Sequence, residues 1–190
     1  TIKTINVSGD KNLTLTEGTT NPDDAVTTIN ASTFTGKLDA TVTTALNMSI
    51  TGGSGNDTIT LSNFNANDTV NGGDGTADTL VTDSSIAAST VLANVTNVEV
   101  LKLTVNADVT LAANVAGLST ITTADGTSVV TLNTGYTTPT TVNLGVTGAL
   151  VNSANAVTTV NATAANMLSG ADITVTGGTA ADTLNISTSG

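Results

Sequence analysis

Apolar residues alternate with polar ones in short runs along this chain, and the runs end on Asn, Gly or Asp. Ile2, Ile5 and Val7 precede a Ser8-Gly9-Asp10-Lys11-Asn12 turn, and Leu13 and Leu15 follow it. That pattern predicts two short strands, or one rung of a solenoid. Related runs return at 95–103, 118–121 and 140–144. A period of two over so few residues specifies a strand with one buried face. A steady return of such strands specifies stacking, one strand per turn on its predecessor. The fold class expected is therefore all-β, a parallel β-solenoid or β-roll of short stacked strands.

A longer repeat overlies this cadence. Ala25-Val26-Thr27-Thr28-Ile29-Asn30-Ala31-Ser32 opens a unit that closes on Asp57-Thr58-Ile59-Thr60-Leu61. Ala156-Val157-Thr158-Thr159-Val160-Asn161-Ala162-Thr163 opens a second that closes on Asp182-Thr183-Leu184-Asn185-Ile186. Residues 87–93 and 162–168 have the composition of single helical turns, Pro139 marks a corner, and 19–24 reads as a solvated surface loop. No linker divides the chain. A soft boundary near 83–90 separates segment 1–85, which carries the glycine-aspartate loops, from a continuing solenoid segment, 86–190; the two can equally form one domain.

Composition narrows the function. The chain has no Cys, His or Trp, its aromatics are Phe34, Phe64 and Tyr136, and its net charge is −11. Threonine makes up about 23% of it, which favours strands. The acidic balance and lack of Arg argue against nucleic acid or an anionic membrane as partner. No apolar run reaches the length of a membrane span. No signal peptide is visible, and an opening in mid-pattern suggests a piece of something larger. Without imidazole or thiol, the usual bases and nucleophiles are missing, so the chain is not expected to be an enzyme.

The most specific stretch is 51–81. Gly52-Gly53-Ser54-Gly55-Asn56-Asp57-Thr58-Ile59-Thr60 fits the nonapeptide G-G-x-G-x-D-x-U-x, a calcium-binding β-helix repeat. Calcium seeks about six to eight oxygens from carboxylates and carbonyls, and glycines allow the φ > 0 turns that aim carbonyls at one point. The Asp-Thr-apolar unit recurs at Asp68 and Asp78, within Asn67-Asp68-Thr69-Val70 and Gly72-Gly73-Asp74-Gly75-Thr76-Ala77-Asp78-Thr79-Leu80. Alternate loops share an edge, so 52–57 should stack on 72–78, with 63–68 on the opposite edge as a structural turn. A calcium ion between the glycine loops would take carboxylate oxygen from Asp57 and Asp78 and carbonyls near Gly53, Gly55, Gly73 and Gly75, with Asp74 as an extra ligand. Asp182 is a weaker site, because Ala180 stands where Gly55 does; the bland reading is a turn in which Asp182 accepts backbone amides.

These loops, the Ala-Val-Thr-Thr-Ile-Asn units and the Thr, Ala, Asn and Gly bulk resemble RTX-type surface-layer proteins of Gram-negative bacteria. The positions carried over are Gly52, Gly53, Gly55, Asp57, Gly72, Gly73, Gly75 and Asp78. The resemblance implies type I secretion without a cleaved signal, calcium-dependent folding outside the cell, and self-association into a lattice on the bacterial cell surface. Cell-surface polysaccharide is a further partner to be expected, through regions outside this chain. There is one full nonapeptide, not a tandem array, and loop 72–78 has an extra residue. Isolated calcium clamps are therefore expected in place of a continuous calcium roll. The alternative function is a calcium-rigidified repeat module of a large secreted adhesin. Thr-x-Thr pairs, such as Thr14/Thr16 and Thr58/Thr60, put two hydroxyls on one face. Their intervals in sequence are irregular, which makes composition the simpler explanation than an ice-binding array.

Overall fold

The computed structural model describes residues 2–18, 26–124, 127–145, 149–152, 158–163 and 174–187. The expected loop at 19–24, most of the turn at 162–168 and residues 156–157 lie outside them.

Among the described residues, strands β1 to β18 form three sheets in which every pairing is parallel. A nine-stranded sheet takes the even-numbered strands: β2 (Leu13–Glu17), β4 (Leu38–Val42), β6 (Thr58–Leu61), β8 (Thr79–Thr82), β10 (Val100–Leu103), β12 (Thr120–Thr122), β14 (Thr140–Leu144), β16 (Thr158–Thr163) and β18 (Thr183–Ser187). A five-stranded sheet takes β1 (Thr4–Gly9), β3 (Thr28–Phe34), β5 (Ser49–Thr51), β7 (Thr69–Asn71) and β9 (Val95–Thr96). A four-stranded sheet continues with β11 (Val109–Leu111), β13 (Val129–Leu132), β15 (Ala149–Asn152) and β17 (Thr174–Thr176). Odd and even strands alternate along the chain, so each rung crosses from one sheet to the other. This is a parallel β-solenoid.

Alternation within each strand builds the core. Leu15, Ala40, Ile59, Leu80, Leu101, Ile121, Val142 and Val160 follow one another in register through the nine-stranded sheet, and from Ala40 to Val160 all are buried. Opposite them, Ile29, Ile50 and Val70 form the matching buried column of the five-stranded sheet. Side chains that face each other across so thin a stack must be small, which is why aliphatics fill it. The large exceptions are the buried aromatics Phe34, Phe64 and Tyr136, of which Tyr136 carries a polar group. It is fully buried, and its hydroxyl is satisfied by Thr140 Oγ1 at 2.8 Å.

The nine-stranded sheet runs unbroken past residues 85–86. The opposite wall changes there: the five-stranded sheet ends at β9, the four-stranded one begins at β11, and an isolated bridge joins Ile86 to Val109. Between them a short 3-10 turn, Ser89–Leu92, buries Leu92, as the composition of 87–93 suggested.

One expectation is corrected. The repeat of 25–61 in 156–186 is not a repeat of structure throughout. Ile29 lies on β3 in the five-stranded sheet, whereas its counterpart Val160 lies on β16 in the nine-stranded one. An alternating Val-Thr-Thr-Ile-Asn segment carries one inward column and fits either wall. Only the closing parts are equivalent, β5–loop–β6 and β17–loop–β18.

Candidate functional site: the stacked glycine-aspartate loops

Loop 52–57 joins β5 to β6, and loop 72–78 joins β7 to β8 one rung later on the same edge. Backbone bonds lock them together: Gly52 N–H donates to Asn71 O at 2.8 Å, and Asp74 N–H donates to Gly53 O at 2.9 Å. Loop 62–68 lies on the other edge, between β6 and β7.

The glycines serve close approach more than turn geometry. Of those in the two loops, only Gly73 has a positive φ, at 109°. Elsewhere a Cβ would collide with a neighbouring rung. On Gly53 it would meet Phe34 O, and on Gly55 it would lie 2.5 Å from Gly36 O. On Gly75 it would lie 2.5 Å from both carboxylate oxygens of Asp78 and 2.6 Å from Gly55 O. The carbonyls of Gly53 and Gly55 thus point along the stack at the next loop's Cα atoms. The expected φ > 0 turns that converge carbonyls on one point are replaced, apart from Gly73, by glycines that let rungs touch.

The acidic side chains share one device. Asp57 is buried and accepts from its own loop (Gly53 N–H to Oδ2, 2.6 Å) and from the preceding rung (Leu38 N–H to Oδ1, 2.7 Å). Asp68, on the opposite edge, accepts Asn65 N–H at 2.8 Å and Met48 N–H at 2.7 Å. Asp182 accepts Gly178 N–H at 2.7 Å and Thr158 N–H at 3.1 Å. Each carboxylate closes its loop with one oxygen and clamps the previous rung with the other. The amides it satisfies would otherwise be costly orphans.

Asp78 breaks the pattern. Its Oδ1 accepts Asp57 N–H at 2.6 Å, while its buried Oδ2 has no partner. The extra residue in loop 72–78 explains this. In the six-residue loops the second glycine lies four residues before the aspartate, at Gly53 and Gly178, and donates to Oδ2. In the seven-residue loop Gly73 lies five before. Its N–H turns to Asn71 Oδ1 at 3.1 Å, and the intervening Asp74 N–H is taken by Gly53 O. The amides of Thr76 and Ala77 go to Asn56 Oδ1 at 3.0 and 3.2 Å, so neither reaches Asp78.

Glu99, which motif reading did not single out, extends the column. Its Oε2 accepts Asp78 N–H at 2.8 Å. Asp57, Asp78 and Glu99 therefore follow one another rung by rung. Burial pushes the Asp78 carboxyl up to about 6 from 3.8; the charges of Asp57 and Glu99 add to the rise, and the Asp57 amide opposes it. The signal for Glu99 lay in spacing: it stands 21 residues after Asp78, as Asp78 stands 21 after Asp57.

The structure thus brings Asp57 and Asp78 together with Gly52, Gly53, Gly55, Gly72, Gly73 and Gly75. Asp74 is exposed, and Asp182 belongs to a distant rung. Among the described residues no three His, Cys, Asp or Glu side chains converge as a metal cluster. The carboxylate part of a calcium set nevertheless fits. Asp78 Oδ2 is a buried oxygen without a donor, and each Asp57 oxygen keeps a lone pair beyond the amide it accepts.

Comparison of the chain with protein-family models, curated proteins and solved structures gives no match.

Proposed function

We propose that this chain is a structural segment of a bacterial cell-surface layer, exported before it folds, stabilised by calcium outside the cell and assembled with further copies into a lattice. The observation that carries the reading is the stacking of loop 72–78 on loop 52–57, which leaves the buried Asp78 Oδ2 unpartnered between two other acidic residues. Without a cation, the Asp57–Asp78–Glu99 column repels itself and weakens the loops on that edge. Asp57 and Asp78, with the exposed Asp74 nearby, would hold the ion; calcium would supply the positive charge the column lacks and convert binding into folding free energy. Type I secretion belongs to the same proposal, since a chain weakly folded in calcium-poor cytosol stays competent for export.

A one-dimensional stack is also suited to a stalk, so a calcium-rigidified module of a secreted adhesin is the second reading. Electron microscopy of the protein with about 5 mM calcium separates the two. A surface-layer segment gives ordered two-dimensional sheets, whereas a stalk gives isolated rods.

A further inference from the structure

Parallel sheets ordinarily have both faces covered. Among the described residues, the outer face of the nine-stranded sheet has no covering layer: its outward side chains there are half-buried or exposed except Val81. Two outward columns run along it. In the first, seven of nine positions are threonine, and the other two are Asp39 and Val100. The last four rungs are regular: Thr120, Thr141, Thr159 and Thr183 follow in register. Beside them the second column continues through Asn143, Asn161 and Asn185. Asn161 Nδ2 donates to Asn143 Oδ1 at 2.8 Å, and Asn185 Nδ2 donates to Asn161 Oδ1 at 3.0 Å. The amides are thereby fixed in one orientation, and the face is pre-ordered.

Intervals between these threonines in sequence are uneven, running from 18 to 24 residues over the last four rungs. Connecting loops absorb the differences, so the strands still stack in register. Irregular spacing therefore carries no weight against a regular array.

The geometry points to a face that binds an ordered water lattice, the surface of an ice crystal. Hydroxyls and methyls repeat at about 4.8 Å between strands and about 6.7 Å along each strand, a two-dimensional grid of the scale of oxygen spacings on an ice face. The array is nearly uncharged in a chain of net charge −11: Asp39 and Lys102 are the charges on its outward columns. A crystalline glycan is the weaker fit, since sugar rings stack on aromatic faces and Phe34, Phe64 and Tyr136 are all buried. The laddered amides, held by their own hydrogen bonds, lose little side-chain entropy on contact, and with the uncharged hydroxyls and methyls beside them they match a neutral lattice of donors and acceptors.

The test is ice-crystal shaping and freezing-point hysteresis of the full chain in calcium, with Thr141→Lys and Thr159→Lys on this face and Thr131→Lys on the four-stranded sheet. Circular dichroism confirms that each variant folds. Faceted crystals with the parent and with Thr131→Lys, and round ones with both face variants, are the expected result. Unshaped growth with the folded parent overturns the proposal, as does equal activity in all variants. So does light scattering that shows the face occupied by a second copy. A folded protein that shapes no ice leaves the calcium and surface-layer reading intact.

Discussion

The backbone amide of Asp57 donates to the carboxylate of Asp78 at 2.6 Å. Each acidic residue of this column holds the rung before it: Asp57 takes Leu38, Asp78 takes Asp57, and Glu99 takes Asp78. Carboxylates that look like metal ligands in sequence are therefore also part of the backbone hydrogen-bond system. Asp78 is the member with an oxygen to spare.

That spare oxygen predicts a pH dependence. With its folded value near 6 against 3.8, Asp78 holds a proton in the folded state over a range where the unfolded chain has released it. Its protonation stabilises fully below the unfolded value, and the benefit is lost as pH rises through about 6. In EGTA, Asp78→Asn should therefore raise the melting temperature at pH 7.5 and flatten its change between pH 5 and 7.5. The gain is on the order of 1–2 kcal/mol after solvent screening. Thermal melts at the two pH values check this; an unchanged slope contradicts it.

Removing a carboxylate clamp should cost more than losing one hydrogen bond. Asp57→Ala leaves the amides of Leu38 and Gly53 without acceptors in a buried setting, at about 1–3 kcal/mol each. Asp182→Ala removes the acceptor of the buried Thr158 amide and of the half-exposed Gly178 amide; water can replace it at Gly178, so the loss should be smaller. Urea unfolding in EGTA measures both. Equal losses would show that burial does not decide the effect.

Glycine in the loops should resist alanine even where φ is unremarkable. Gly53→Ala drives a methyl into Phe34 O and forces the two rungs apart. A cost of about 1–3 kcal/mol is expected, a fall of roughly 2–4 °C in melting temperature per kcal/mol for a chain of this size. Gly9→Ala tests the contrast: nothing lies within 4 Å of its Cβ, yet φ is 118°, so its cost comes from backbone strain alone.

The solenoid was legible in sequence because alternation specifies a strand and its steady return specifies stacking. Which wall a strand joins was not legible. Ile29 and Val160 sit in near-identical segments on opposite walls, since either wall accepts one inward column. The stacking of 72–78 on 52–57 followed from counting loops. The role of the glycines did not: Gly53 and Gly55 are demanded by Phe34 and Gly36 from another rung, and a linear motif carries no record of what lies beneath it. Glu99 stayed hidden for the same reason, its partner being an amide one rung away.

The most direct test of the account is the calcium-dependent shift in melting temperature, followed by Tyr136 fluorescence and circular dichroism. The parent and Asp78→Asn are compared in EGTA, in about 5 mM calcium and in magnesium. The account predicts a large rise specific to calcium in the parent and a much smaller one in Asp78→Asn. A parent that melts at the same temperature in all three, or that responds equally to magnesium, contradicts it and leaves the loops as turns that join rungs of the solenoid.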